Sequence, residues 1–233
     1  MAFQPIVSLQ DDTPPGIFAY EALVRGEAGE SAGSILAQVS DKKRYGFDQA
    51  CRIKAIELAS KLRLPETGAL LSINFLPNAV YEPRACISAT LAAAQRTGFP
   101  PDCLMFELTE GEPLNDPAHL LHILYSYREM GFRTAIDDFG AGYSGLALLA
   151  QFQPDVVKLD MSLVRDADTD PARATILRHT TAMCHEFGIS VVAEGVETEA
   201  EFHFLRRLGI GLFQGYLFAR PGFEQLPAPR LFS

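Results

Sequence analysis

Thr134-Ala135-Ile136-Asp137-Asp138-Phe139-Gly140-Ala141-Gly142-Tyr143-Ser144-Gly145 joins a short apolar run to two adjacent carboxylates, a glycine-rich turn and a helical segment from Leu146. A strand, a tight turn and a helix in that order form the repeating unit of an α/β fold. Adjacent acids at a strand end repel each other unless a cation sits beside them. Two readings of the pair compete. In one, Asp138 caps the next helix and Asp137 is solvated. In the other, a hard divalent cation takes their oxygens. The rest of the chain decides.

Outward from this unit, eight stretches read as strands: Phe3 to Val7, Ile17 to Val24, Leu70 to Phe75, Leu104 to Leu108, Thr134 to Ile136, Val156 to Leu159, Ile189 to Ala193 and Leu212 to Tyr216. They are short, apolar and bounded by Gly, Pro or Asp, and their continuous apolar character suits a parallel sheet buried on both faces. Helical spacing of apolar residues fills the gaps at Ser34 to Arg44, Phe47 to Leu62, Ala85 to Gln95, Pro117 to Met130, Leu146 to Phe152, Ala172 to Phe187 and Glu199 to Leu208. In the second of these, Ile53, Ile56 and Ala59 mark the inner side, and Arg52, Lys54 and Lys61 are expected outside. Asp116 or Asn115 caps the helix at Pro117, Gly188 stops the one before Ile189, and Thr198 caps the one at Glu199. The alternation predicts an α/β barrel. The link from Val7 to Ile17 is too short for a helical crossover, so the first two strands should pair antiparallel.

The 233 residues suffice for one such barrel, and residues 1–233 read as a single domain without boundary, repeat or low-complexity segment. A net charge of -9 argues against a DNA or RNA surface. The basic run Asp41-Lys42-Lys43-Arg44 reads as a solvated helix face. No apolar stretch is long enough for a membrane span, and no basic-then-apolar leader follows Met1, so a cytoplasmic location is expected. Cys51, Cys86, Cys103 and Cys184 are scattered with no C-x-x-C, and read as reduced thiols.

The strands carry unusual polar residues near their ends: Glu21, Asn74, Glu107, the pair Asp137 and Asp138, Lys158, Glu194 and Gln214. Charges in apolar strands are costly unless paired or metal-bound. A lone strand-end acid is more often a cap, but successive strands repeating the feature is a pattern. In a parallel barrel those ends share one face, where active sites sit. Oxygen ligands without histidine favour Mg²⁺ or Mn²⁺ over Zn²⁺, and six ligands suit two ions sharing one bridging Asp. A two-metal site of that kind fits phosphodiester hydrolysis. His119 and His122, expected on an exposed helix face, do not join it. Gly140-Ala141-Gly142-Tyr143-Ser144-Gly145 also satisfies the dinucleotide fingerprint. Two carboxylates directly before the loop would repel a pyrophosphate, and the motif sits at the fifth strand instead of the first.

These residues resemble the EAL family, phosphodiesterases that hydrolyse the bacterial second messenger cyclic di-GMP. The resemblance runs from Phe3 to Pro221. It rests on FQPIV at the start, Glu21-Ala22-Leu23-Val24-Arg25, Asn74 in SINF, ELTE at Glu107 to Glu110, DDFGAGYSGL at Asp137 to Leu146, KLD at Lys158 to Asp160, AEGVE at Ala193 to Glu197 and QGYLFARP at Gln214 to Pro221. It implies a modified TIM (β/α)8 barrel with one antiparallel strand near the N-terminus. It implies two ions, Mg²⁺ or Mn²⁺. Glu21, Asn74, Glu107 and Asp137 would hold the first; Asp137, Asp138 and Glu194 would hold the second. Lys158 would orient or polarise the attacking water, and Glu194 has been cast in the family as a base. Arg25 would bind a phosphate, and Gln4, Leu23, Gln214 and Pro221 would contact substrate. Glu110 and Glu197 would steady the loops on the metal side. The implied product is linear pGpG.

Ala141 and Gly145 stand where many relatives carry Thr and Ser, and neither change removes a ligand. The resemblance implies a homodimer; the chain begins almost at FQPIV, so any sensor or signalling partner is missing from it or never existed. A catalytically weak receptor or partner-binding regulator of the same fold is the alternative. Such domains usually lose ligands at the EAL, DD or KLD positions, and none is lost here. A hydrolase for another phosphodiester is a third reading, which a substrate panel separates from the first.

Overall fold

A period of two organises the barrel. The computed structural model describes residues 1–10, 13–109, 116–142 and 145–232, with Asp41 by its backbone alone. In chain order the elements are β1 (Ala2–Ser8), β2 (Gly16–Leu23), α1 (Ala32–Leu36), α2 (Asp41–Lys61), β3 (Leu70–Asn74), α3 (Pro83–Thr97), β4 (Leu104–Thr109), α4 (Pro117–Glu129), β5 (Arg133–Phe139), α5 (Gly145–Leu149), β6 (Val156–Leu159), α6 (Met161–Val164), α7 (Pro171–Glu186), β7 (Ser190–Ala193), α8 (Glu199–Arg207), β8 (Leu212–Phe213) and β9 (Gly222–Phe223). Strands β2 to β8 pair in parallel, each with the next. β1 closes the ring, antiparallel to both β2 and β8. β9 adds outside the ring, antiparallel to β1. The fold is a modified TIM barrel with one reversed strand, as the short link from Val7 to Ile17 required.

The barrel is filled from all eight ring strands. Ile6, Ala19, Leu70, Met105, Ala135, Val156, Val192 and Leu212 form one inner apolar cluster, one residue per strand. Alternate residues face outward against the helices. Leu71, Ile73, Phe106 and Leu108 pack with α2, α3 and α4 residues in one outer cluster. Val157, Leu159, Val191 and Phe213 pack with Leu177, Cys184 and Phe202 in another.

Helix starts follow their caps. Asp116 accepts the N–H groups of Ala118 and His119 ahead of α4, and Asp170 does the same for Ala172 and Arg173 ahead of α7. Thr198 and Glu201 form a reciprocal capping box on α8. Gly188 follows α7 at φ +72, a left-handed conformation that suits glycine.

Several expectations need correction. The helix expected to begin again at Phe47 in fact starts at Asp41, with Gly46 inside it and exposed. Packing of α2 against α3 and β3 overrides the glycine. Arg52, expected outside, is fully buried, its NH2 2.7 Å from Asp48 Oδ2. The eighth strand stops at Phe213 instead of Tyr216 because Gly215 packs against the Val196 backbone. α6 and β9 were not expected at all. His119 is half-buried, its Nε2 against the Val80 carbonyl. No helix among the described residues is long and apolar enough to cross a membrane.

Candidate active site

Two residues beyond each member of the inner apolar layer, toward the rim, the barrel turns polar. Ala19 leads to Glu21, Leu70 to Ser72, Met105 to Glu107, Ala135 to Asp137, Val156 to Lys158, Val192 to Glu194 and Leu212 to Gln214. On the reversed β1 the step runs backward, from Ile6 to Gln4. Period two therefore stacks one polar layer on one apolar layer. The sheet register then sets Gln4 beside Glu21, Glu21 beside Ser72 and Asn74 beside Glu107.

Asp138 breaks this alternation. As the neighbour of Asp137 it should point away from the interior. A register irregularity lies between Ile136 and Phe139, and Asp138 takes φ +54. Such a bulge re-aims a side chain, and Asp tolerates the left-handed region better than most residues. Both acids thereby reach the centre.

The polar layer surrounds one ammonium. Lys158 Nζ is fully buried, 2.8 Å from Glu107 Oε2, Asp137 Oδ1 and Glu194 Oε1, and 3.2 Å from Glu21 Oε2. Asn74 Nδ2 donates to Glu21 Oε1 at 2.9 Å, and Gln214 Nε2 donates to Glu21 Oε2 at 2.8 Å. Ser72 Oγ donates to Glu107 Oε1. Gln4 Nε2 donates to the Ala219 carbonyl at 3.2 Å.

The electrostatics follow from burial and crowding. Burial pushes the Glu107 carboxyl up to about 8, with Glu21 and Asp137 adding repulsion that Lys158 only partly offsets. Glu194 is pushed well above its ordinary value by burial, then by Asp137 and Glu21. Asp138 rises to about 6, first from burial and then from Asp137 and Asp160. Glu21 goes the other way: burial is overcome by Lys158 and by the amides of Gln214 and Asn74. Burial alone would discharge Lys158, but its four carboxylates hold its pKa well above the ordinary value.

The donor set suits divalent cations. Glu21, Glu107 and Asp137 bring ligand oxygens within 4.8 Å of one another, and so do Asp137, Asp138 and Glu194. Asp137 belongs to both groups. Its buried Oδ1 meets Lys158 but accepts no aligned hydrogen bond among the described residues. Five carboxylates crowd around one ammonium, an excess of acid that divalent cations would balance. All-oxygen ligands select Mg²⁺-like ions.

A cleft of about 420 Å³ opens over this centre. Gln4, Leu23, Arg25, Glu197 and Gln214 line it with the acids. Arg25 lends NH1 to the Val24 carbonyl at 2.7 Å. Glu197 takes a two-pronged ion pair from Arg165, at 2.7 and 2.8 Å, which ties the loop after β7 to the end of α6. Pro221 is half-buried and is not among the cleft-lining residues. Glu110 lies outside the described residues. Sequence reasoning passed over Ser72, Met161 and Tyr216. Ser72 was findable, as the polar residue two before Asn74 on the same face of β3. Met161, the first residue of the short α6, and Tyr216, beyond β8, line the cleft from positions that carry no periodic signal.

A family model described as EAL domain matches residues 1–221. The chain belongs to the EAL domain family. Among solved structures, this EAL domain is similar to a standalone versatile EAL protein from Vibrio cholerae O395 in a c-di-GMP bound form. Identity is 51%, with 99% of this chain and 94% of that chain covered, at a TM-score of 0.92. It is also similar to Klebsiella pneumoniae BlrP1 in a manganese/cy-diGMP complex, at 37% identity and TM-score 0.88, covering 98% of this chain and 56% of that one. Among curated proteins it is 37% identical over 169 residues to cyclic di-GMP phosphodiesterase RocR of Pseudomonas aeruginosa, covering 72% of this chain and 43% of RocR. The EAL domain spans about half or less of the length of the curated relatives it matches first.

Proposed function

We propose that this EAL domain hydrolyses cyclic di-GMP to linear pGpG. The observation that carries the reading is the pair of oxygen-ligand groups sharing Asp137 beneath the Arg25 cleft. The substrate named for RocR, and the ligand in the Vibrio and Klebsiella structures, support it. Residues 1–233 act as one domain.

Glu21, Asn74, Glu107 and Asp137 would hold one Mg²⁺ or Mn²⁺, and Asp137, Asp138 and Glu194 would hold a second. Ions held there would supply acidification of a water and charge balance for the phosphodiester. Arg25 exchanges the Val24 carbonyl for a phosphate oxygen, which its planar fork fits. Gln4, Leu23, Gln214 and Pro221 contact the nucleotides. Lys158 polarises the attacking water, and Glu194 is a ligand first and a base second. Water attacks one phosphorus in line, and the 3′ oxygen of the neighbouring nucleotide leaves. Glu110 and Glu197 steady the surrounding loops.

We place the reaction in the cytoplasm, since all four cysteines are free thiols. A homodimer through α5 would cover the exposed Leu146. A sensor or signalling partner outside this chain would control it.

The test is incubation of the purified chain with cyclic di-GMP and Mg²⁺ or Mn²⁺, with and without EDTA, following linear pGpG by chromatography. Turnover that EDTA stops supports the reading. Folded protein that turns over nothing in either metal refutes it, and tight binding without turnover favours a receptor.

A further inference from the structure

The cation demand of the centre and the position of Lys158 are in conflict. Glu21, Glu107 and Asp137 compose one candidate ligand group, and Glu194 belongs to the other. Lys158 Nζ touches an oxygen of each of these four, at 2.8 to 3.2 Å. An ammonium and a divalent cation want the same lone pairs, and a buried pair is screened little by water. Lys158 reaches this position from β6, and its side chain has no exposure to solvent. Asn74 and Ser72 donate to the other oxygens of Glu21 and Glu107, and Gln214 shares Glu21 Oε2 with Lys158.

We infer that Lys158 is a resident counter-ion that competes with the divalent cations for the carboxylates, holding the ligand set together in their absence and weakening their affinity. This rests on the metal centre proposed above. It adds a second duty to Lys158 beyond polarising water. Four acids from β2, β4, β5 and β7 would repel each other apart without a central charge. A lysine supplies that charge within the fold, at the cost of opposing each incoming cation.

The experiment compares wild type, Lys158→Met and Lys158→Arg. Calorimetric Mn²⁺ titration gives affinity, and thermal unfolding in EDTA and in saturating Mn²⁺ gives stability. Lys158→Met, similar in length but uncharged, is expected to bind Mn²⁺ about tenfold tighter or more, since a full charge near the cation is removed. In EDTA it melts lower than wild type, and saturating Mn²⁺ restores it. A variant that folds only with Mn²⁺ present supports the inference equally. Lys158→Arg keeps the charge and stays closer to wild type in EDTA than Lys158→Met does. Unchanged or weaker Mn²⁺ binding by folded Lys158→Met overturns the competition. An unchanged melting point in EDTA overturns the counter-ion role. If wild type takes up no Mn²⁺, the metal centre itself fails, and the EDTA melt still decides what Lys158 does.

Discussion

Replacing Arg52 with methionine isolates the cost of the buried charge pair in α2. Arg52 has no exposed surface, and its NH2 lies 2.7 Å from Asp48 Oδ2. Oδ1 of Asp48 accepts the Leu76 N–H at 3.0 Å, two residues beyond Asn74. The pair therefore anchors the chain as it leaves the active-site rim. Methionine keeps an apolar stem but strands the Asp48 carboxylate. Breaking a buried pair from one side costs about 3–5 kcal/mol. Nε and NH1 of Arg52 have no hydrogen-bond partner among the described residues, so the pair is imperfectly compensated. That places the loss at the lower end, about 3 kcal/mol. For a chain of this size the melting temperature should fall by about 6–12 °C.

The pH dependence gives the sharper check. Burial already raises the Asp48 pKa, against the pull of Arg52 and the Leu76 N–H. Without Arg52 it rises further. A carboxyl with a folded pKa above its unfolded value of about 3.9 stabilises the fold while protonated and loses that contribution as pH rises through the folded pKa. The Arg52→Met deficit should therefore grow from about pH 4 upward. Asp48→Asn/Arg52→Met removes both charges and keeps an acceptor for Leu76, so it should recover most of the loss. Urea denaturation of wild type, both single variants and the double variant at pH 5 and pH 8 measures all of this. A loss below about 1 kcal/mol, equal at both pH values, would refute the reasoning.

Other outcomes follow from the same geometry. A Cβ on Gly215 would overlap the Val196 backbone, so Gly215→Ala should lose about 2–3 kcal/mol in denaturant melts and weaken turnover by shifting Gln214 and Glu194. Glu201 accepts backbone N–H groups of Asp166, Glu197 and Thr198 at 3.2, 3.1 and 3.0 Å. Glu201→Ala should cost about 1–3 kcal/mol by urea titration at pH 7. Burial pushes the Glu201 carboxyl up, but those bonds outweigh it and its pKa is lowered. Its contribution is therefore present above the unfolded value of about 4.3 and fades as pH falls through the folded one, and the variant's deficit should shrink in acid. Glu21→Ala removes a ligand and should cut cyclic di-GMP turnover at least about hundredfold, since even outer-shell partners are worth ten- to hundredfold. Near-normal rates would remove Glu21 from the ligand set.

The barrel and most of its polar layer were legible because both obey short periods. Apolar strands ending in Glu21, Glu107, Asp137 and Glu194 announced a shared rim, and the Val7 to Ile17 link announced the reversed strand. Asp138 was legible as an acid but not as a bulge, since the left-handed turn of its backbone leaves no mark beyond a tolerant residue type. Arg52 was misread because helical periodicity treats a charge as outward. The i, i+4 spacing from Asp48 was the available clue. α6 and β9 are too short to carry a period, and Gly46 suggested a break that tertiary packing removed.

The reversal of β1 has a consequence for how this barrel can be wired. In an all-parallel barrel the first strand begins at the floor, so anything joined ahead of it arrives at the inert end. Here Ala2 pairs with Leu23 and Gln4 with Glu21, so the strand begins at the rim. Met1 lines a groove that also contains Glu21, Asn74 and Asp137. A domain fused upstream would enter beside the carboxylates, and a pull or twist on its linker would act first on the strand that carries Gln4. One inverted strand thus sets the start of β1 beside the rim that carries the carboxylates.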